Sequence, residues 1–246
     1  MIHFALDAAA LPLVPWLIAQ GRRVRRDTPR LPAAAGPSRG GFEGRGAPIR
    51  ILTIGESTVA GVGAAHHEEA LTGQLACALH ARHGRPVQWQ AFGLSGATVA
   101  HATRSFANHL PQQPMDLIVI AFGVNDAIAR TSPRRYAEGL KTLVGAARSR
   151  VGGQVPVFLC AAPPMHLFPA LPRPLRHYLG ARAALLNRAV RKLQITNLTH
   201  VAFKVKAERH LFASDGFHPS VAGYAVWGFE LAQIAHASLL TREFPG

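Results

Sequence analysis

One serine, one histidine and one aspartate stand out by type and position in this chain of 246 residues. Ser57 lies in Gly55-Glu56-Ser57-Thr58, directly after an apolar run, and His218 closes the stretch Asp215-Gly216-Phe217-His218. A serine hydroxyl is a weak nucleophile until a base within hydrogen-bond reach takes its proton. An aspartate three residues before a histidine can, in a tight turn, hold one ring nitrogen while the other faces a hydroxyl. Aspartate is scarce in the chain. Asp7 and Asp27 belong to the N-terminal segment and Asp116 opens a strand at the opposite edge, which leaves Asp126 and Asp215. Only Asp215 has a histidine in the same turn, so Ser57, Asp215 and His218 are the candidate catalytic residues.

Two more blocks, Gly93-Leu94-Ser95-Gly96 and Gly123-Val124-Asn125-Asp126, offer what the other half of acyl chemistry needs. Attack on an ester carbonyl puts negative charge on its oxygen, and fixed N–H donors aimed there lower the barrier. The backbone N–H groups of Ser57 and Gly96 and the side-chain amide of Asn125 are the candidate oxyanion donors, with Gly93 a rival to Gly96. Glycine at 96 is expected to let the main chain approach closely with no Cβ in the way. Taken one at a time, each group also has a structural reading. Ser57 can be a helix cap, Asn125 a loop cap, Asp215 a turn former and His218 a helix-start histidine.

The elements that would position these groups alternate regularly from residue 49 onward. Ile49–Ile54, Pro86–Phe92, Asp116–Phe122, Val155–Ala161 and a short run at His200–Val205 read as strands. Helical segments are expected over His66–Arg82, Ala97–His109, Ser132 to about Ser149, about 175–195, and from Pro219 to about Leu240. Ser132-Pro133 is a capping residue followed by proline in the first turn. Strands alternating with helices imply right-handed crossovers and a parallel sheet covered on both faces. The expected fold is α/β: a flavodoxin-like three-layer sandwich with five parallel strands in the order 2-1-3-4-5. In that order the candidate residues all follow strand ends on one rim, where ligands bind in open α/β sheets.

Gly-Glu-Ser, Ser-Gly-Ala-Thr, Gly-Val-Asn-Asp and Asp-Gly-Phe-His-Pro, in this order over roughly residues 49–240, resemble the successive blocks of the SGNH (GDSL-like) hydrolases. The resemblance implies Ser57 as nucleophile, Gly96 and Asn125 as oxyanion donors, His218 as base and Asp215 as its partner. It also implies a flavodoxin-like fold working without metal or organic cofactor. Three positions depart from the family pattern: Glu56 stands where aspartate is usual, Ala97 where aspartate often follows the glycine, and Ala91 where asparagine is frequent.

Residues 1–48 differ from the domain at 49–246. Leu11 to Ala19 is apolar but interrupted by Pro12 and Pro15, and Arg22, Arg23, Arg25 and Arg26 follow it, ahead of a Pro/Gly/Ala-rich stretch. Nine apolar residues fall short of the roughly 20 that cross a bilayer, and the positive charge follows the run, whereas a secretory signal carries it first. Two readings stand: an arm packed against the domain, or an interfacial anchor with Trp16 and Leu17 in lipid and arginines on headgroups. A cytoplasmic protein with peripheral membrane contact at most is expected.

Apolar residues make up 48% of the chain, which excludes a disordered polymer. The net charge of +14 could draw nucleic acid, anionic lipid or acidic substrates. No zinc finger, RNP-like strand or recognition helix accompanies it, so nucleic acid is not an expected partner. Cys77 and Cys160 are expected as buried thiols, and their spacing is not of the zinc type. His66-His67 before Glu68-Glu69 reads as a solvated first turn, since adjacent helical residues point apart. The loop after the fourth strand, with five prolines and Met165, His166, Leu167 and Phe168, is the candidate apolar lip of a substrate pocket. Taken together, the residues point to a serine-dependent hydrolase of small-molecule esters. Its rivals are a carbohydrate O-deacetylase of the same fold and a catalytically silent protein that docks on membranes or polyanions.

Overall fold

The computed structural model describes residues 2–243 apart from 107 and 205, with side chains described over 5–239. Its centre is a six-stranded sheet of β1 (Arg39–Phe42), β2 (Ile49–Gly55), β3 (Val87–Gly93), β4 (Leu117–Ala121), β5 (Val157–Cys160) and β6 (Leu198–Val201). The spatial order is β1-β3-β2-β4-β5-β6. From β2 to β6 all pairings are parallel, and this part reproduces the expected 2-1-3-4-5 order. The sixth strand is the difference: β1 runs antiparallel along β3, with Arg39 opposite Gln90 and Phe42 opposite Val87. The last strand lies a little earlier than the expected His200–Val205, and position 205 is outside the described residues, as is 107 within the helix expected over 97–109.

Strand side chains alternate between faces, and both faces are apolar because both are covered. Leu52, Ile54, Ile118, Ile120, Val157 and Leu159 bury themselves under α4 (Val99–Phe106), α6 (Pro133–Val151) and α7 (Leu175–Val190). Ile49, Ile51, Leu117, Val119 and Phe158 point the other way, under α3 (Leu71–His83) and α8 (Val221–Glu243). Ser132 caps α6 as its sequence promises, accepting from the Arg135 N–H at 3.3 Å. The segment read as one helix from His66 is a short 3-10 turn, His67–Glu69, separated from α3 by extended Ala70. Cys77 is exposed, contrary to expectation, because α3 buries Leu71, Leu75, Ala76 and Leu79 and turns position 77 outward. Both cysteines are free thiols.

Most of residues 2–27 are helical: α1 (Ile2–Ala9), a 3-10 turn at Leu11–Leu13, and α2 (Val14–Asp27). Pro12 and Pro15 sit in the first turns of the 3-10 turn and of α2, where a missing N–H costs nothing. The arm is pinned to α7. Asp7 accepts from the Tyr178 hydroxyl at 2.9 Å and from Arg182 Nη1 at 3.1 Å, and Arg130 lies 3.4 Å from it. Arg182 is 1% exposed. Gln20 adds two backbone bonds across the same seam, to Arg173 and Leu175. Burial pushes the Asp7 carboxyl up, but Tyr178, Arg182 and Arg130 outweigh it and hold it below the usual range.

Candidate active site

Ser57 occupies the turn that follows β2, one residue past Glu56. That turn is tied to both neighbouring strands at the switch point: the Glu56 N–H donates to the Ala121 carbonyl and the Leu94 N–H to the Gly55 carbonyl. Ser57 therefore stands on the carboxyl rim between β3 and β4.

His218 reaches Ser57 across 161 positions of sequence. The Ser57 hydroxyl donates to His218 Nε2 at 3.0 Å, while His218 Nδ1 donates to Asp215 Oδ2 at 2.6 Å. The other Asp215 oxygen accepts from the backbone N–H groups of Phe217 and His218, at 2.9 and 3.0 Å. Both oxygens are thus engaged, and the carboxylate cannot rotate away from the ring. Burial pushes the Asp215 carboxyl up, but the bond from the His218 ring and the two backbone donors prevail, leaving it below its usual value. The arrangement holds a proton on Nδ1 and leaves Nε2 free to accept from the serine.

The candidate oxyanion donors belong to residues that share one cleft, which Ser57, Gly96, Asn125 and His218 line. Among the described residues, neither the Ser57 nor the Gly96 N–H has an acceptor in the protein. The reason for glycine at 96 differs from the expected one. A Cβ there would meet nothing within 4 Å, but φ is +78°, which disfavours any L side chain. Close approach belongs instead to Gly93, where a Cβ would lie 2.0 Å from the Ala60 nitrogen. Gly93 is a β3 ladder residue opposite Gly55, and this close packing accounts for a glycine there.

Asn125 is held by a residue whose importance the sequence did not reveal. Glu56 is 3% exposed, and its Oε1 accepts from the Val124 N–H at 3.0 Å. Its Oε2 accepts from both the backbone N–H of Asn125, at 3.0 Å, and the Asn125 side-chain amide. One amide hydrogen of Asn125 is thereby spent on Glu56, and the second is left over at a residue that lines the cleft. Burial pushes the Glu56 carboxyl up to about 7, against the pull of the Asn125 and Val124 donors. Glutamate at this position therefore keeps a carboxyl group under the Val124–Asn125 turn. Asp126 acts elsewhere, its Oδ2 accepting from the Val99 N–H at 2.9 Å, at the start of α4.

Two spaces meet at Ser57. A narrow pocket of ≈ 60 Å³ is walled mainly by apolar side chains, among them Phe122, Leu167, Phe168, Phe212, Phe217 and Trp227, with Glu56, Lys206 and His218 also lining it. The loop after β5 contributes Leu167 and Phe168 as expected, whereas His166 does not line it and packs against Gly180. On the other side of Ser57 opens a broad cleft of ≈ 1010 Å³, whose outer wall is the arm: Leu11, Val14, Leu17 and Ile18 face Val124, Ile128 and Leu175. The arm's part in the site was not apparent from the sequence; the apolar run before the arginines is its only trace there. Among the described residues no group of three or more metal-ligating side chains occurs, and His66 instead closes a reciprocal cap with Glu69.

The family model described as GDSL-like Lipase/Acylhydrolase matches residues 53–226. No curated protein matches the chain. Among solved structures, the lipase Lip_vut3 from a goat rumen metagenome is similar with a TM-score of 0.61 and 16% identity, over 77% of this chain and 97% of the other. A carbohydrate acetylesterase family member from Sinorhizobium meliloti follows at TM-score 0.56 and 21% identity, over 78% and 99%. The inhibitor-bound aryl esterase of M. smegmatis gives 0.52 and 20%, over 78% and 100%. These structural likenesses speak for the fold. The family match, together with a central parallel sheet between two helical layers, leads to one conclusion: the chain belongs to the GDSL-like lipase/acylhydrolase family.

Proposed function

We propose that the protein hydrolyses carboxylic esters through an acyl-serine intermediate at Ser57. The observation that carries this reading is the chain of two short hydrogen bonds, Ser57 hydroxyl to His218 and His218 to Asp215. As the Ser57 oxygen attacks the carbonyl carbon, its proton passes to His218 Nε2, and Asp215 stabilises the imidazolium that forms. Negative charge collects on the former carbonyl oxygen, where the N–H groups of Ser57 and Gly96 and the free amide hydrogen of Asn125 can receive it. Collapse expels the alcohol, which takes the proton from His218. Water then attacks the acyl-serine with His218 again as base, releasing the acid and restoring the serine.

The two spaces at Ser57 favour a division of the substrate. The narrow pocket, ≈ 60 Å³, has room for about four waters or a short acyl group. The broad cleft suits the alcohol part. Its walls are mainly aliphatic, which favours an amphiphilic or apolar alcohol over a sugar, the alternative of the same fold. The test is a series of p-nitrophenyl esters from acetate to decanoate beside acetylated sugars. Acetate to butyrate should be fastest, with Ser57→Ala and His218→Ala each lowering kcat by at least about 10³. Equal rates across the series would remove the acyl-pocket assignment, and undiminished turnover by both variants would remove the nucleophile and base.

A further inference from the structure

Four of the nine exposed large apolar side chains among the described residues fall within eight consecutive positions of the arm. Leu11 is 66% exposed, Leu13 46%, Trp16 62% and Ile18 50%. They surround the join between the 3-10 turn and α2, while Ala10 is buried in the core and so is Leu17, contrary to the anchor reading, which puts it in lipid beside Trp16. The arginines come next along the axis. Arg22, Arg23, Arg25 and Arg26 include no buried member, and among the described residues the acid set against them is Asp27, bonded to Arg26 at 2.7 Å and lying 3.4 Å from Arg23. At about 1.5 Å of rise per residue, Arg22 and Arg26 sit roughly 9 to 15 Å beyond Trp16. Apolar and charged residues are thus separated along the helix, with aromatic and aliphatic groups at the tip and a cationic collar behind.

We propose that this arm tip is a docking surface for anionic phospholipid bilayers. Interfacial segments bury apolar side chains about 5–10 Å into the headgroup boundary while cations stay with the phosphates, and the spacing here fits that depth. A collar of net positive charge selects an anionic leaflet over a neutral one. A soluble polyanion would satisfy the arginines but would leave Trp16, Leu11 and Leu13 in water, so lipid accounts for both halves of the surface. Spanning is not involved: among the described residues no helix is long and apolar enough to cross a membrane. Leu11 and Ile18 also line the broad cleft that opens on Ser57. Docking therefore sets the cleft mouth against the lipid surface. An ester carried in that surface can enter alcohol side first; this last consequence rests on the esterase reading above, whereas docking itself does not.

The experiment is co-sedimentation of the full chain with phosphatidylcholine vesicles, with and without a quarter phosphatidylglycerol, at 50 and 500 mM salt. The wild type and Ser57→Ala should bind the anionic vesicles equally and release at high salt. Arg22, Arg23 and Arg26 changed together to Gln should weaken binding about 10²-fold, and Trp16→Ser with Leu13→Ser at least about tenfold. Circular dichroism and turnover of p-nitrophenyl acetate show that these variants remain folded. No binding by the wild type, binding that ignores both variant sets, or salt-sensitive binding to polyphosphate but not to vesicles would each overturn the proposal. Loss of ester turnover in Ser57→Ala with vesicle binding intact keeps the two proposals separate.

Discussion

Replacing Glu56 with glutamine probes the support of Asn125, the proposed oxyanion donor, without touching Ser57 or His218. Glu56 accepts three N–H groups on its two oxygens, two of them from Asn125. A glutamine offers one oxygen and places an NH₂ against at least one of those donors, so a buried N–H loses its acceptor. Bonds to a charged acceptor are worth about 1.5–3 kcal/mol each, enough to let Asn125 leave its position. Loss of one oxyanion donor costs about 10²–10³ in kcat in a studied protease, and a loss of at least about 10² is expected for Glu56→Gln, with KM little changed. The wild type should show the same dependence through pH. Burial holds the Glu56 carboxyl up at about 7. Below that pH one oxygen becomes a hydroxyl donor and no longer accepts from Asn125. The acid limb of kcat/KM should then carry the contribution of a proton on Glu56 near pH 7, and that contribution should vanish in Glu56→Gln. Stability carries the opposite sign. Between the usual 4.5 and about 7 the native state keeps a proton that the unfolded chain has released, so stability falls as pH rises through this window. The fall is about 3 kcal/mol, and the glutamine variant should lack it. Wild-type kcat together with an unaltered pH profile in Glu56→Gln would refute the bracing role.

Three further perturbations address the rest of the site and its support. Asp215→Asn keeps the shape of the turn but ends the charge at His218 Nδ1, and kcat should drop by about 10⁴, as in the serine-protease precedent; steady-state kinetics on p-nitrophenyl acetate reads it. Gly96→Ala meets no atom but forces an L side chain to φ +78°, costing about 1–2 kcal/mol; relaxation of the loop should rotate the N–H donor, so kcat falls while denaturant melts show only that modest loss. Asp7→Asn leaves the Arg182 guanidinium, 1% exposed, without an anion, which should cost about 3 kcal/mol. Thermal unfolding should register this as roughly 5–10 °C, and limited proteolysis should find the arm released.

The sheet was legible because its central strands are apolar runs such as Leu117–Ala121 and Val157–Cys160, and runs of that length between turn residues leave little choice. The four blocks were legible because each follows a strand end. β1 was not: Arg39-Gly40-Gly41-Phe42 has neither alternation nor β-branched residues, and only its ladder with Val87–Gln90 makes it a strand. The arm was read as interrupted because proline breaks helix interiors, whereas Pro12 and Pro15 occupy first turns. The reason for Gly96 was misread as close approach, because a glycine's φ is invisible in sequence, and at +78° it is what requires glycine here. Glu56 looked like a departure because a side-chain type says nothing of its reach; three converging N–H groups give it its meaning.

The most direct measurement of the serine chemistry is peptide mass spectrometry after treatment with a fluorophosphonate. A single phosphonyl adduct on Ser57, forming in the wild type and absent or strongly slowed in His218→Ala, is the expected result. An adduct on another residue, or a folded protein that hydrolyses esters yet takes no label at Ser57, would contradict it.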